Sequence, residues 1–174
     1  GGFNRIDFMG KNISFIVNPL VLEESYLNKL QDNLILIFSG LSRKGENVTK
    51  DQISKIQSKS EQYQKIYELV NEAEDILKNK KNLDNFGDLL NYQWQLKKTF
   101  SNKITNYKID KIYDKAIKAG AIGGKLLGAG NGGFMLFYAR KKNHPKIINS
   151  LKNYLHVPFN FDNTGSQIIY YSKS

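Results

Sequence analysis

Hydrophobic spacing changes period several times along the 174 residues. The chain opens with alternating, extended segments, "FNRIDF" and "NISFIVNPL", joined by "MGKN". These predict a β-hairpin from Phe3 to Pro19. A lone hairpin is marginal in water, so its strands are expected to belong to a sheet whose remainder lies upstream. The unbroken apolar run "NLILIFSG", Asn33 to Gly40, suits a buried strand. A polar loop follows, "LSRKGENVTKDQ", in which Thr49 and Gln52 have the spacing of a capping box. Ile53, Ile56, Tyr63, Ile66, Val70, Ala73 and Leu77 then recur at helical steps with one wider gap, predicting a long amphipathic helix.

"NLDNFGDLLNYQWQLKKTFS" carries Phe86, Leu89, Leu90, Trp94, Leu96 and Phe100 on a second helix, despite Gly87. A third runs from Asn106 to Ala119, with Ile109, Ile112, Tyr113, Ala116 and Ile117 on one face and Gly120 as its stop. "GFMLFYA" reads as a strand, and "NHPKIINSLKNYL" as a helix with Pro145 in its first turn. Short strands are expected around "PFNF" and "QIIYYS". Regular βαβ alternation is missing. The class is therefore α+β: an antiparallel sheet with helices packed on one face.

Composition narrows the chemistry. With 40% apolar and 12% aromatic residues the chain has enough material for a core. It shows neither an apolar run of membrane-spanning length nor a signal-peptide pattern, and a cytoplasmic location is the default expectation. The absence of cysteine excludes a disulfide framework and a thiolate zinc site, and two distant histidines, His144 and His156, offer little for another metal. The net charge of +10 suits a polyanionic or phosphorylated partner. The lysines are scattered and arginine is rare, so solvated helix faces explain much of that excess, and nucleic acid is not the favoured partner.

The densest candidate chemistry is "GGKLLGAGNGGFMLFYA", Gly123 to Ala139, with six glycines in its first eleven residues. Gly128, Gly130 and Gly133 satisfy G-x-G-x-x-G, but a dinucleotide fold needs that motif between a strand and a helix. Here a helix precedes it and a strand follows. A Walker loop fails as well, because "GAIGGKLL" is one residue short and has Leu126 in the hydroxyl position. Two readings stand side by side. The glycines permit close backbone packing before a buried strand, or their amides form an anion-binding nest with Lys125 as an added charge.

The same residues resemble the third motif of the GHMP kinases, the galactokinase–homoserine–mevalonate–phosphomevalonate superfamily. The closest likeness is to bacterial heptose 7-phosphate kinases. "GGFNRIDF", "NPLVL", "LILIFSGLSR", "FGDLLNYQWQLKK", "IDKIYDKAIKAGAIGGKLLGAG" and "PFNFDNTGSQIIYY" are similar to blocks of that subfamily in the same order. The resemblance implies a ferredoxin-like C-terminal domain over 21–174, preceded at 1–20 by terminal strands of an N-terminal domain. It implies a two-domain enzyme that moves the γ-phosphoryl of ATP, with Mg²⁺, onto a sugar hydroxyl. Gly124, Lys125, Gly128, Ala129, Gly130, Asn131, Gly132 and Gly133 match the motif that lies beside the nucleotide phosphates. Asn131 departs from it, standing where glycine is usual; asparagine also tolerates left-handed φ. The serine-rich nucleotide loop and the catalytic aspartate of the family are expected upstream of Gly1, so the 174 residues alone are expected to be inactive.

Other candidates are weaker. Ser42 and Arg43 follow the apolar strand, where a loop can overhang a cleft, and Arg43 could hold a sugar phosphate. Arg5, in the first strand, is a similar candidate. Each has a plain alternative as a solvated side chain. Trp94 falls on an apolar stripe and is expected in the core, while Lys97 and Lys98 could face a cleft or water. Asp110 and Asp114 alternate with lysines, as an exposed face would. An orphaned hairpin would expose apolar edges and favour self-association. The rival to a kinase is a basic α+β module that binds RNA or another polyanion without catalysis.

Overall fold

The structure, a computed structural model, describes residues 1–10, 14–41 and 45–172. Strands β1 (Asn4–Met9) and β2 (Ser14–Pro19) form the expected hairpin as a separate two-stranded sheet, in register from Asn4 opposite Pro19 to Met9 opposite Ser14. Phe8 and Phe15 lie side by side near its tip and are exposed. Its base is fastened. Phe3 meets Phe161 edge-on at 4.8 Å, and the Gly2 amide donates to the Asp162 carbonyl.

Helix α1 (Glu24–Asp32), which the apolar pattern did not announce, leads into β3 (Leu34–Phe38). The helix is short and buries a single residue fully, Leu30, which is too little periodicity to stand out. β3 lies in a four-stranded antiparallel sheet of order β4–β5–β3–β6, with β4 at Gly123–Leu126, β5 at Phe134–Tyr138 and β6 at Leu155–His156. Its unbroken apolar run is buried on alternate residues: Ile35 and Ile37 are enclosed, and Leu34, Leu36 and Phe38 only partly so.

The long helix expected after Thr49 is two helices. α2 (Glu46–Ser54) begins three residues before Thr49, and α3 (Ser60–Lys78) follows a 3-10 turn at Gln57–Lys59. The wide gap between Ile56 and Tyr63 marks the break, and Ile53 and Ile56 are exposed. No capping box forms: Thr49 lies inside α2, where its Oγ1 donates to the Gly45 carbonyl at 3.1 Å. α4 (Asp84–Lys98), α5 (Tyr107–Lys118) and α6 (His144–Ser150) match the periodic segments. Asn106 caps α5, its Oδ1 accepting from the amides of Lys108 and Ile109.

The main core packs Ile35, Ile37, Leu126, Met135 and Phe137 against Trp94, Ile109, Ile112 and Ile147 from α4, α5 and α6. Trp94 is wholly enclosed, as expected. A smaller cluster joins Tyr138 to Leu30, Leu77, Leu83 and Leu90. The strands expected around "PFNF" and "QIIYYS" do not form among the described residues. β6 ends at His156, and Ile168 to Tyr171 are exposed with no partner strand to complete a ladder.

β4 and α4 meet backbone to backbone. A Cβ on Gly123 would stand 2.0 Å from the Gly87 carbonyl oxygen, and one on Gly87 would stand 2.5 Å from Cδ1 of Tyr138. Gly123→Ala is therefore expected to cost about 3 kcal/mol, the upper end for overpacking. Urea denaturation measures this, and a loss under about 0.5 kcal/mol would show that α4 can back away freely.

Candidate phosphate-binding site

The glycine-rich stretch divides into two parts with different physics. Gly124 and Lys125, expected in the loop, lie instead in β4, which pairs with β5. Glycine is needed at 124 for space, since a Cβ there would meet Phe137 Cδ1 at 2.5 Å. The loop proper is the hairpin connection 127–133, closed by the Leu127 amide on the Phe134 carbonyl. Within it φ is +75° at Gly128, +131° at Gly130, +63° at Asn131 and +100° at Gly133, while Ala129 and Gly132 lie outside the positive region. Such alternation turns successive amides toward one concavity.

Every side of the loop is held. The Asn131 amide donates to the Ile104 carbonyl at 2.7 Å, and the Gly133 amide to that of Leu41 at 2.9 Å. Lys97 Nζ donates to the Gly128 carbonyl at 2.6 Å, and Gln52 Nε2 to the Ala129 carbonyl at 3.1 Å. Asn106 Nδ2 donates to Asn131 Oδ1 at 2.7 Å. A Cβ on Gly130 would stand 2.8 Å from the Ile104 carbonyl oxygen, so that glycine is needed for space as well as for φ. The amides of Gly128, Ala129, Gly130 and Gly132 have no acceptor among the described residues.

The charge around this loop is positive and unbalanced. Lys97 and Lys125 are both half-buried, and neither has a carboxylate partner among the described residues. Burial, and then the neighbouring Lys125 ammonium, push the Lys97 pKa down to about 8. Burial likewise lowers that of Lys125. Two partly desolvated ammonium groups near each other, one of them on the Gly128 carbonyl, suit an anion. A cleft of about 780 Å³ borders the loop at Asn131 and is lined also by Asn47, Lys50, Asp51, Ser54 and Lys103. Asp51 is held below the usual carboxylate range, at about 2, by Lys55, Ser101 and Lys103.

The remaining candidates separate from this site. Arg5 is bound to Asp7 at 2.9 Å and to Glu74 at 2.8 Å, with Asn71 also accepting, and so fastens β1 to α3. None of its partners belongs to the loop. Ser42 and Arg43 lie outside the described residues. Asp110 accepts from Thr105 Oγ1 and has Lys98 Nζ at 4.0 Å. Lys98 itself sits over the rings of Trp94 and Tyr113, 5.9 Å from each centroid. Sequence reasoning passed over Gln52 as a loop contact, reading it as a cap. It left Lys97 between cleft and water.

Two outcomes are expected. Asn131→Ala should lose about 1–2 kcal/mol in urea denaturation from left-handed strain, whereas Asn131→Gly keeps the backbone freedom and loses only the contact to Asn106. Lys97 gives a pH signature. The unfolded chain keeps the Lys97 proton to about 10.5 and the folded chain to about 8, so its contribution to stability rises with pH between those values. Anion affinity should fall over the same range as the charge is lost. Calorimetric titration with pyrophosphate at several pH values checks this, and Lys97→Met should flatten the alkaline fall.

The family model for the C-terminal region of GHMP kinases matches residues 63–157. A D-glycero-alpha-D-manno-heptose 7-phosphate kinase of Campylobacter jejuni is 31% identical over 158 residues, 87% of this chain and 45% of that protein. Among solved structures, a D-glycero-D-manno-heptose 1-phosphate kinase from Bacteroides thetaiotaomicron superposes with a TM-score of 0.66 at 24% identity, covering 92% of this chain and 42% of that one. The mevalonate kinase of L. major, solved with R-mevalonate, gives a TM-score of 0.67 at 19% identity over 87% and 47%. The chain thus spans about half the length, or less, of these relatives.

Proposed function

Because the chain belongs to the GHMP kinases, as part of their C-terminal domain, we propose that it supplies the phosphate-holding wall of an ATP-dependent sugar-phosphate kinase. The observation that carries this reading is the loop 127–133, several of whose amides have no acceptor among the described residues, with Lys97 on its Gly128 carbonyl and Lys125 near Lys97. Phosphoryl transfer depends on holding the reactants in line and neutralising charge that builds on phosphate oxygens. Amides fixed before the ligand arrives do this without reorganising.

The acceptor we assign is a heptose 7-phosphate, supported by the 31% identity to a protein of that name. ATP's phosphates fit the donor set of the loop, with Lys125 in β4 and Lys97 in α4 adding charge. Bound ATP supplies the transferable γ-phosphoryl group. Mg²⁺ is a different matter. Among the described residues no three His, Cys, Asp or Glu side chains gather into a cation site. The groups that hold Mg²⁺ and take the acceptor proton are assigned, with the resemblance, outside these residues.

An ADP-release assay tests the reading. In the protein that carries this chain, heptose 7-phosphate should stimulate turnover at least tenfold over mevalonate or galactose, and the 174 residues alone should give none. Equal rates with mevalonate would overturn the acceptor, and turnover by the 174 residues would overturn the placement of the catalytic groups.

A further inference from the structure

The order of the loop needs an explanation, because a glycine-rich connection left to itself would sample many orientations. In a trans peptide the carbonyl of one residue and the amide of the next point in opposite directions. Holding a carbonyl therefore aims the following amide. Two loop carbonyls are held by side chains from two different helices. Lys97, in the last turn of α4, takes the Gly128 carbonyl, and Gln52, in α2, takes that of Ala129. The amides that follow, those of Ala129 and Gly130, are among those with no acceptor among the described residues. Close packing keeps α2 in place, since a Cβ on Gly45 would lie 2.9 Å from the Ala129 Cβ.

We propose that Gln52 and Lys97 are positioning residues, each holding one loop carbonyl so that the next amide faces a bound phosphoryl group. The proposal rests on the phosphate reading of the loop and adds a cause for its order. Gln52 is uncharged, so its contribution comes through the backbone. Lys97 acts in two ways, as a donor to the carbonyl and as a charge beside Lys125.

Titration of the full 174-residue chain with inorganic pyrophosphate, followed by amide NMR and calorimetry, tests this. Gln52→Ala should weaken pyrophosphate binding about tenfold and shift the Gly130 amide already in the free chain. Lys97→Met should do the same to the Ala129 amide. Lys97→Gln, which keeps a donor without the charge, should return the Ala129 resonance toward its original position and recover affinity in part; an affinity in Lys97→Gln no better than in Lys97→Met would overturn the positioning role of Lys97 and leave only its charge. If the unaltered chain binds pyrophosphate and Gln52→Ala binds within twofold of it with an unshifted Gly130 amide, the positioning role is overturned and the kinase reading stands. If the unaltered chain shows no response to pyrophosphate, the phosphate reading fails and this proposal fails with it.

Discussion

The contact on which the site depends is the backbone approach of α4 to β4 at Gly87 and Gly123. Gly123 leaves room there for the Gly87 carbonyl, and Gly87 leaves room for Tyr138 and Ile122. The approach fixes a common origin for both elements, which run in the same direction from it. From Gly87 to Lys97 the helix rises roughly 15 Å. From Gly123 to Gly128 the extended chain covers roughly 16 Å. The two distances match, and Lys97 Nζ accordingly meets the Gly128 carbonyl. A helix-to-strand packing rule thus becomes the placement of a charged side chain over a loop.

That placement gives the chain's positive charge a local meaning. Most of the basic residues pair with carboxylates or project into water. Arg5 joins Asp7 and Glu74, Arg140 joins Asp84, and Lys55 and Lys103 share Asp51. Such pairs offset one another and leave little field for a ligand. Lys97 and Lys125 differ because burial has removed part of their hydration and, among the described residues, no carboxylate replaces it. With an arriving phosphate these lysines would regain what desolvation took away, which is why these two of the many lysines mark the candidate site.

Much of this was legible in the sequence, and the failures are physical ones. α4 and α5 stand out because each buries a regular stripe, with Trp94 on the first, and α6 is marked by Pro145 in its first turn. α1 escapes notice because a helix that encloses one leucine writes almost no pattern. α2 and α3 merge in the sequence because Ile53 and Ile56 keep helical spacing while facing water. The resemblance located the glycine motif, but glycine identity could not tell packing from conformation. In β4 the glycines admit a neighbouring backbone, and in the loop they admit positive φ. Gln52 carried no signal, since its partner lies 77 residues away and is a main-chain oxygen.

Asn131 shows how a departure from glycine can be absorbed. A side chain at a left-handed position in the proposed phosphate loop raises the question of whether it obstructs the ligand or donates to it. Here its Oδ1 accepts from Asn106 Nδ2, while Asn106 Oδ1 accepts from the first amides of α5. One asparagine therefore ties the helix cap to the loop, and the other provides the far end of that tie. The backbone keeps φ near +63°, a value asparagine adopts more readily than other side-chain-bearing residues. With its oxygen engaged at 2.7 Å by Asn106, Asn131 directs that acceptor toward α5, and an acceptor aimed at a phosphate would repel it. The substitution removes some backbone freedom from the loop and adds a tether, so what looks like a defect in the motif contributes to its order.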